Sequence, residues 1–465
     1  MRLDHFFDNF VVVTVYKRIG MPMENNYLNY KTIAEQIFLA GVESVLPHRL
    51  ITKAMSLNEN CLKIGSLSYK LESIENIYVI GAGKASGMMA AEVEKILGNR
   101  ITEGHIVVKY GYSCKLNYID ITEAGHPIPD ANGFKATSEI LKIAGAANCN
   151  DLVICLLSGG GSSLLPDIPE GCSAKDMIKV NDLLINCGAS ISEINAVRKH
   201  LSIVKGGQLA RIVYPATLVN LILSDVPGDH LDVIASGPTV PDPTTYLQAL
   251  TVLATFGLSR TIPRGILTTL KEGAAGKRPE TPKSGDPVFN KTINFLVGTN
   301  RIALEAAKVK AMDFNINAVI IGDQLQGDIS TVAEYIVDTS IKFKSDSDEV
   351  KPVCLLFGGE TTVKMTGKGA GGRNQHLALK CALLLQNHTG ITVLSAGTDG
   401  TDGPTNAAGA VVDSDSVATA VSINIDPQKY LSEFDSFHFF KKAGGHIITG
   451  PTMTNVMDIV VVIVE

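Results

Sequence analysis

The sequence predicts an α/β protein with parallel sheets in two domains, and three observations lead to this fold class. Short apolar runs that contain β-branched residues alternate along the chain with helical patterns, which is typical of βαβ units. Most of these runs end in a glycine-rich turn, as strands do where open sheets bind ligands. The chain has 465 residues, which suits two domains, and a linker is predicted at 272–290, where Gly, Pro and charge are concentrated. We expect one domain at 29–285 and a second at 291–465.

The composition is that of a globular protein and argues against several function classes. Apolar residues make up 45% and charged residues 19%; the net charge of −6 includes no block of like charge, so no nucleic-acid partner is expected. The eight cysteines form no Cys-x-x-Cys pair and the ten histidines no His-Glu-x-x-His spacing. These absences argue against a disulfide framework and a tightly held transition metal. We therefore expect a reduced, cytoplasmic protein.

Residues 1–28 fit poorly with the rest of the chain and are predicted to be an N-terminal extension whose role the sequence does not assign. The apolar run at 10–16 is too short to span a bilayer and lacks a small-residue cleavage site, so no membrane partner is expected. Helical spacing of apolar residues then predicts a helix from Tyr30 to about Leu57.

The first strand–turn–helix unit is a candidate phosphate site. A strand at 77–80 runs into a turn with Gly81, Gly83 and Lys84, and a helix follows. The free N–H groups of a helix N-terminus can bind an anion, and Lys84 adds a cation at the mouth of the turn. The turn is not the full dinucleotide fingerprint, because Ser86 stands where its last glycine would be.

Two further strands, at 106–108 and 119–122, lead to a rigid turn, GHPIPD, at 125–130. His126 in this turn could contact substrate. A turn histidine that only makes structural hydrogen bonds is the more common alternative.

The central loop, Ser158–Ser163, follows an unbroken apolar run at 152–157 that is typical of a buried strand. Three consecutive glycines allow positive φ and close approach of a ligand, and successive N–H groups can form an anion-binding concavity. A tight turn that only lets a helix pack on the sheet explains the same residues equally well.

A basic cluster and an acidic turn come next. Arg198 and Lys205 could clamp a carboxylate or phosphate, although a solvated helix face is the commoner origin of such a cluster. A strand at 217–223 then delivers Asp225 and Asp229, which suit Mg²⁺ or a substrate proton, with a plain acidic turn as the alternative.

The second half repeats the strand–loop–helix pattern. Strands are predicted at 295–297, 317–321, 353–357, 391–394 and 459–464. A glycine-rich loop at 367–372 carries Arg373, and the loop after the strand at 391–394 carries Asp399 and Asp402. Cations beside glycine loops suit a polyphosphate, and carboxylates suit the metal that accompanies it. There is neither a Walker loop nor a G-x-S-x-G elbow.

The ordered motifs resemble those of the glycerate 2-kinases, a family once described as hydroxypyruvate reductases. The matching segments run in the family's order from about residue 30 to the end: VIGAGKAS (79–86), GHPIPD (125–130), LLSGGGSSLL (156–165), INAVRKHLS with VKGG (194–207), LSDVPGD with ASGPTVPDPTT (223–245), FGGETTV (357–363), GGRNQ (371–375), SAGTDGTDGPT (395–405) and GPTMTNV (450–456). The first 28 residues have no counterpart, and Gly445 stands where an acidic residue is expected before His446.

This resemblance implies two α/β domains, the first Rossmann-like with a parallel sheet, and an active site in the cleft between them. It implies transfer of the γ-phosphoryl group of ATP to D-glycerate, with Mg²⁺, giving 2-phosphoglycerate. ATP and D-glycerate are then the expected small-molecule partners, and a homodimer is compatible with the family.

The resemblance also implies roles for individual residues. Lys84, Arg373 and Asp225 are the expected catalytic groups. Substrate binding is expected at Arg198, which would take the glycerate carboxylate, and at Gly83 and His126. The carboxylates expected to share the metal are those of Asp225, Asp229 and Asp399. The nucleotide phosphates are expected on Ser158, Gly159, Gly160, Gly161, Ser162, Ser163 and Lys205.

An NAD(P)-dependent hydroxypyruvate reductase is the main alternative, and a non-catalytic nucleotide-binding module is a third. The turn at 81–87 lacks the third glycine of a dinucleotide site, and no convincing ribose-binding acid ends a following strand. A binding module would not need so many carboxylates beside the cations.

Overall fold

The computed structural model describes residues 29–346, 350–363 and 367–465, so the predicted extension at 1–28 lies outside them. The described chain begins with two helices, α1 (Tyr30–Ser44) and α2 (Pro47–Ala54). A small antiparallel sheet follows, made of β1 (Met55–Asn58), β2 (Cys61–Ile64) and β3 (Leu67–Lys70). The single helix expected from Tyr30 to Leu57 is therefore wrong beyond Ser44, because Pro47 starts a second helix and the chain then extends.

Six parallel strands form the first large sheet. They are β4 (Ile77–Ala82), β5 (Glu103–Lys109), β6 (Asp120–Ala124), β7 (Leu152–Leu157), β8 (Thr217–Leu223) and β9 (Thr292–Gly298). Their order across the sheet is β6-β5-β4-β7-β8-β9. This is the Rossmann order, which reverses between β4 and β7, and open sheets bind ligands beyond the carboxyl ends of the strands at such a reversal.

Helices cover this sheet and extend from it. They are α3 (Ser86–Leu97), α4 (Ala131–Ala146), the short α5 (Gly161–Leu164), α6 (Ala174–Asn186), α7 (Ile191–His200), α8 (Gln208–Val213), α9 (Tyr246–Thr255) and α10 (Arg264–Ala274). Capping boxes begin α6 and α7, where Ser173 and Ser190 each bond an acidic residue three positions on. The box at Ser173 confirms the predicted cap. Helices α6, α7, α9 and α10 share a separate apolar cluster that includes Leu184 and Val197.

The second large sheet is mixed, not parallel as the alternation of strands and helices had suggested. Its strands are β10 (Asn317–Asp328), β11 (Val353–Thr362), β12 (Ile391–Gly397), β13 (Gly409–Asp413), β14 (His446–Ile447) and β15 (Asp458–Val464). Among the strands described in this half, β10 and β11 are the only pair that runs in parallel. The last strand, β15, inserts antiparallel between β11 and β12.

The helices of this half are α11 (Asn300–Asp313), α12 (Ile329–Ser345), α13 (Arg373–Leu384), α14 (Ser416–Ser422), α15 (Pro427–Ser432) and α16 (Ser436–Ala443). In the part of the chain that the structure describes, no helix is long and apolar enough to cross a membrane.

The two halves share one buried core. A single apolar cluster contains Ile37 of α1, Val79 of the first sheet, Ala303 of α11 and Val461 of the second sheet. Helix α1 packs on α11 and on strands of the second sheet, although it precedes the first sheet in sequence. Strand β9, which the predicted boundary at 291 assigned to the second domain, pairs with β8 in the first.

Candidate active site

The turns after β4 and β7 are joined at the point where the strand order reverses. The Lys84 backbone N–H donates to the Gly159 carbonyl at 2.9 Å, and the Ala85 N–H donates to Ser158 Oγ at 3.0 Å. Ser158 is buried, and its Oγ also lies 3.0 Å from Ser86 Oγ. A Cβ on Gly83 would lie 2.1 Å from Ser158 Oγ, which explains the glycine there. Ser158, expected to bind phosphate, thus has its hydroxyl engaged in joining the turns.

The rest of the central loop has the features of an anion-binding turn. Gly160 adopts φ 86°, a left-handed conformation that favours glycine, and α5 begins at the next residue. Within the described residues, the backbone N–H groups of Gly160 and Ser162 donate to no protein acceptor. The hydroxyls of Ser162 and Ser163 bond Ser236 and the Gly160 carbonyl, at 2.9 and 3.1 Å. The loop therefore offers backbone amides to a ligand.

A cleft of about 440 Å³ opens above this loop. Residues of α6 and α7, the turn at 126–129 and Phe134 line this cleft. Gly160–Ser163 and Asp225 line it as well. A cavity of this size is in the range that small-molecule sites occupy.

His126 lies directly over the central loop. A Cβ on Gly160 would approach His126 Nε2 to 2.7 Å. Burial, and then the positive charges of Lys84 and Lys109, lower the pKa of His126 to about 4. The imidazole is therefore neutral at physiological pH, so one ring nitrogen can donate a hydrogen bond and the other can accept one.

The two predicted cations of the cleft differ in availability. Arg198 Nε donates to Asn181 Oδ1 at 2.9 Å, and none of the described acidic residues forms an ion pair with its guanidinium. Burial lowers the pKa of Arg198, as expected for a cation without a counter-charge. Lys205, in contrast, donates to the Leu165 carbonyl at 2.7 Å and lies 3.7 Å from Asp167. Arg198 is thus free for an anionic ligand, whereas Lys205 is held by the protein.

Lys84 and Asp225 of the first domain meet groups of the second. Lys84 Nζ lies 3.5 Å from Asp399 Oδ2, and both side chains are largely buried. Asn455 Nδ2 lies 3.5 Å from Asp225 Oδ2. Burial raises the pKa of Asp225, and Asp399 adds to the rise while Lys84 opposes it. A carboxylate in this environment is better able to accept a proton.

Arg373 is fixed by two acids that sequence reasoning did not single out. It donates to both oxygens of Asp458, at 2.6 and 2.9 Å, and Nη1 lies 2.6 Å from Glu360 Oε1. Burial alone would lower the pKa of Arg373, but Asp458 and Glu360 hold it above the usual range. Burial raises the pKa of Glu360, the charge of Asp225 also raises it, and the charge of Lys84 lowers it. Arg373 therefore belongs to one charged cluster, which consists of Lys84, Asp225, Glu360, Arg373, Asp399 and Asp458.

Two other predicted acids lie elsewhere in the network. Asp402 is buried and accepts the Asn374 and Gln375 N–H groups at 3.0 and 2.9 Å, so it caps α13. Burial raises its pKa to about 6. Burial and the charge of Asp323 raise the pKa of Asp229, and a hydrogen bond with Ser224 lowers it. Its Oδ1 is buried without a hydrogen-bond partner among the described residues.

The expected metal ligands do not form a complete cluster. Among the described residues, no three acidic, histidine or cysteine side chains lie close enough together to hold a metal ion. The structure instead brings two carboxylates, Asp225 and Asp399, close enough to Lys84 and to each other for their charges to interact.

Comparison with known proteins assigns the chain to a family. One family model, described as a domain of unknown function (DUF4147), matches residues 33–271, and the MOFRL family model matches residues 353–458. A D-glycerate 2-kinase of Thermotoga maritima is 41% identical over 436 residues, covering 93% of this chain and 97% of that protein. The chain belongs to the glycerate 2-kinase family. A solved Thermotoga maritima glycerate kinase agrees, with a TM-score of 0.83 at 38% identity over 94% of this chain and 99% of that one.

Another relative of this chain carries a different name. A putative hydroxypyruvate reductase of Agrobacterium vitis is 41% identical over 384 residues, covering 82% of this chain and 85% of that protein. The resemblance inferred from the motifs and the predicted pair of α/β domains are therefore confirmed.

Proposed function

We propose that this protein transfers the γ-phosphoryl group of ATP to the 2-hydroxyl of D-glycerate, giving 2-phosphoglycerate and ADP. Relatives named glycerate kinase support the activity. The observation that carries the proposal is the meeting of Lys84, Asp225 and Asp399 beside a glycine loop with free amide donors. Phosphoryl transfer needs little beyond positioning and charge stabilisation, and these groups supply both.

Lys84 is the proposed stabiliser of the transferring phosphoryl group. Its backbone N–H donates to the Gly159 carbonyl beside the cleft loop, and its ammonium lies 3.5 Å from Asp399 Oδ2. A fixed cation in a partly buried site stabilises charge that develops in the transition state without reorganising first. Arg373 is held too firmly by Asp458 and Glu360 to move toward a ligand, so its proposed contribution is a fixed positive field.

Asp225 is the proposed acceptor of the 2-hydroxyl proton. It lines the cleft, and its raised pKa favours proton uptake. Arg198, which has no acidic partner among the residues described, is proposed to bind the glycerate carboxylate in a bidentate manner. His126 lines the same cleft, whereas Gly83 packs against Ser158. The predicted substrate contact of Gly83 stays a proposal.

The residues also fit Mg²⁺ brought in with the nucleotide. Mg²⁺ is usually held by one or two carboxylates together with substrate phosphates, and Asp225 and Asp399 supply two carboxylates. When bound, the ion would neutralise charge on the phosphates. The groups that act on the Asp229 carboxyl are Ser224, Asp323 and His230, and neither Asp225 nor Asp399 is among them. Of the three predicted metal ligands, Asp229 therefore has the least support.

The reductase alternative gains no support from the structure's geometry. In a dinucleotide site an acidic residue after the second strand binds the ribose. Here the second strand of the Rossmann sheet, β5, ends at Lys109.

The test is a pair of assays on the purified protein. With D-glycerate and Mg-ATP, we expect ADP release that depends on D-glycerate, and phosphorus NMR should identify the 2-phosphate. With hydroxypyruvate and NADH or NADPH, we expect no oxidation of the nucleotide. Formation of the 3-phosphate would refute the regiochemistry, and reductase activity without kinase activity would refute the class.

A further inference from the structure

The end of the cleft between α6 and α7 has the character of a nucleoside-binding surface. We infer that it binds the base of the phosphoryl donor, a purine nucleoside triphosphate, and that its apolar walls hold the ring. This inference rests on the proposed function for the identity of the donor. The motifs do not indicate which residues contact the nucleotide base. The inference assigns this contact to residues of α6, α7 and the turn at 126–129.

Three large aliphatic side chains that line this one cleft are exposed to solvent. Ile128 is 61% exposed, Ile185 59% and Ile191 53%, and all three line the cleft. Single exposed apolar residues are ordinary, but a group of them around a concave site marks a binding surface.

The sequence spacing gives each helix one continuous wall. Met177, Asn181 and Ile185 are four residues apart on α6, so they lie on one face. Ile191, Ile194 and Arg198 are spaced by three and four residues on α7 and also share a face. The apolar part of each face is therefore aligned along the cleft.

The wall is polar at one end and apolar at the other. Arg198 lies seven residues after Ile191, which on a helix is about 10 Å. Arg198 marks the end of the wall that faces charged ligand groups, and Ile185 with Ile191 marks the far end. A nucleotide has the same polarity along its length, with an aromatic base at one end and phosphates at the other.

The turn at 126–129 adds apolar surface for a flat ring. Pro127, Ile128 and Phe134 line the same cleft as the helices, so a ring bound there can contact apolar groups from both segments. Asn181 and Asp182 add polar groups at its rim. Asp182 has no ion-pair or hydrogen-bond partner for its carboxylate in the described part of the chain, so it is available to the edge of a base.

Size excludes the other substrate as the occupant of this end. D-glycerate is a small, wholly polar acid, and it would leave most of the 440 Å³ empty and the isoleucines in water. A nucleoside triphosphate can place its base between the isoleucines and its phosphates on the amides of Gly160 and Ser162.

The experiment separates base binding from phosphate binding. The full-length variant Ile185→Ser/Ile191→Ser is compared with the unmodified protein by titration calorimetry, using ADP and inorganic pyrophosphate as probes. Both positions are exposed, so the fold should survive. Loss of two apolar contacts should weaken ADP binding by about tenfold or more, while pyrophosphate binding stays within about twofold. Ile423 is a comparably exposed isoleucine, at 49%, that does not line the cleft, so Ile423→Ser is the control and should change neither affinity.

Steady-state kinetics provide the second readout. The double variant should raise KM for ATP but not for D-glycerate. Unchanged ADP affinity, an equal loss for ADP and pyrophosphate, or no ADP binding to the unmodified protein would each overturn the subsite. A change of oligomeric state in place of the affinity change would also overturn it, by showing that these isoleucines contact a second copy. If ADP binding weakens as expected but D-glycerate is not phosphorylated, the subsite stands and the proposed function fails.

Discussion

Replacing Gly159 with alanine tests whether the position of Asp225 controls the reaction. A Cβ at this position would lie 2.1 Å from Asp225 Oδ2 and 2.7 Å from its Cγ. Ordinary contact begins near 3.4 Å, so the carboxylate must move by about 1.3 Å. The φ angle of Gly159 is not in the left-handed region, so alanine brings no backbone strain of its own.

The expected loss follows from the size of this displacement. Misplacing a reacting group by about 1 Å can reduce the rate about a hundredfold. We therefore expect Gly159→Ala to lower kcat about a hundredfold, which equals about 2.7 kcal/mol in the activation free energy. The assay is D-glycerate-dependent ADP release, with a thermal melt beside it to establish that the variant is folded.

Gly145→Ala is the matched control. It lies in α4, and the one atom near its added Cβ is Ile212 Cγ2 at 3.9 Å. It should keep full activity and melt at the same temperature or slightly higher, because alanine favours helix. A folded Gly159→Ala protein that retains most of its kcat would refute the reasoning, because Asp225 would then tolerate displacement.

Three further predictions concern individual side chains of the site. Lys84→Met should lower kcat by about a hundred- to a thousandfold with little change in KM. Lys84→Arg should not restore kcat fully, because a planar guanidinium does not occupy the place of a compact ammonium. A folded Lys84→Met protein that keeps its kcat would exclude the residue from the chemistry. Arg198→Ala should raise KM for D-glycerate more than KM for ATP in steady-state assays, and the reverse order would assign this guanidinium to the phosphates. His126 has a lowered pKa of about 4, so the unfolded chain takes up a proton that the folded protein resists, and stability falls as the pH drops from about 6.5 toward 4. His126→Gln should lose less melting temperature than the unmodified protein over that pH range, and an identical pH profile would contradict the burial of a neutral histidine.

Local sequence patterns were sufficient to predict the parts of the fold that local physics controls. The strand at 152–157 agrees with the structure residue for residue, because an unbroken apolar run between polar turns has one stable placement in a doubly covered sheet. The glycine turns after β4 and β7 were predicted separately. Their meeting follows from the strand order, which the sequence alone does not specify.

Contacts between distant segments could not be predicted in this way. Asp458 binds Arg373 across 85 residues, and its position at the start of β15 gave no sign of a role in the site. Glu360 follows two glycines at the end of a predicted strand. Charged residues beside glycine turns at other strand ends were predicted to be site residues, so the same pattern could have indicated Glu360. For Ser158 and Lys205 the residue types suited phosphate binding, but packing gave both groups partners within the protein.

Helix α1 makes the completion of folding depend on the last residues of the chain. The carbonyl of Val45, just after this helix, accepts a hydrogen bond from Thr454, 409 residues further on. At synthesis rates of about 5–20 residues per second, the ribosome needs roughly 20–80 seconds to add that many residues. The helix lacks α11 until residues 300–313 have been made, and it lacks β15 beyond the end of this interval, so Ile37 and Phe38 are not fully buried before then. The nascent chain therefore carries an incompletely covered apolar helix during this time, and the first helix described is among the last to complete its native contacts.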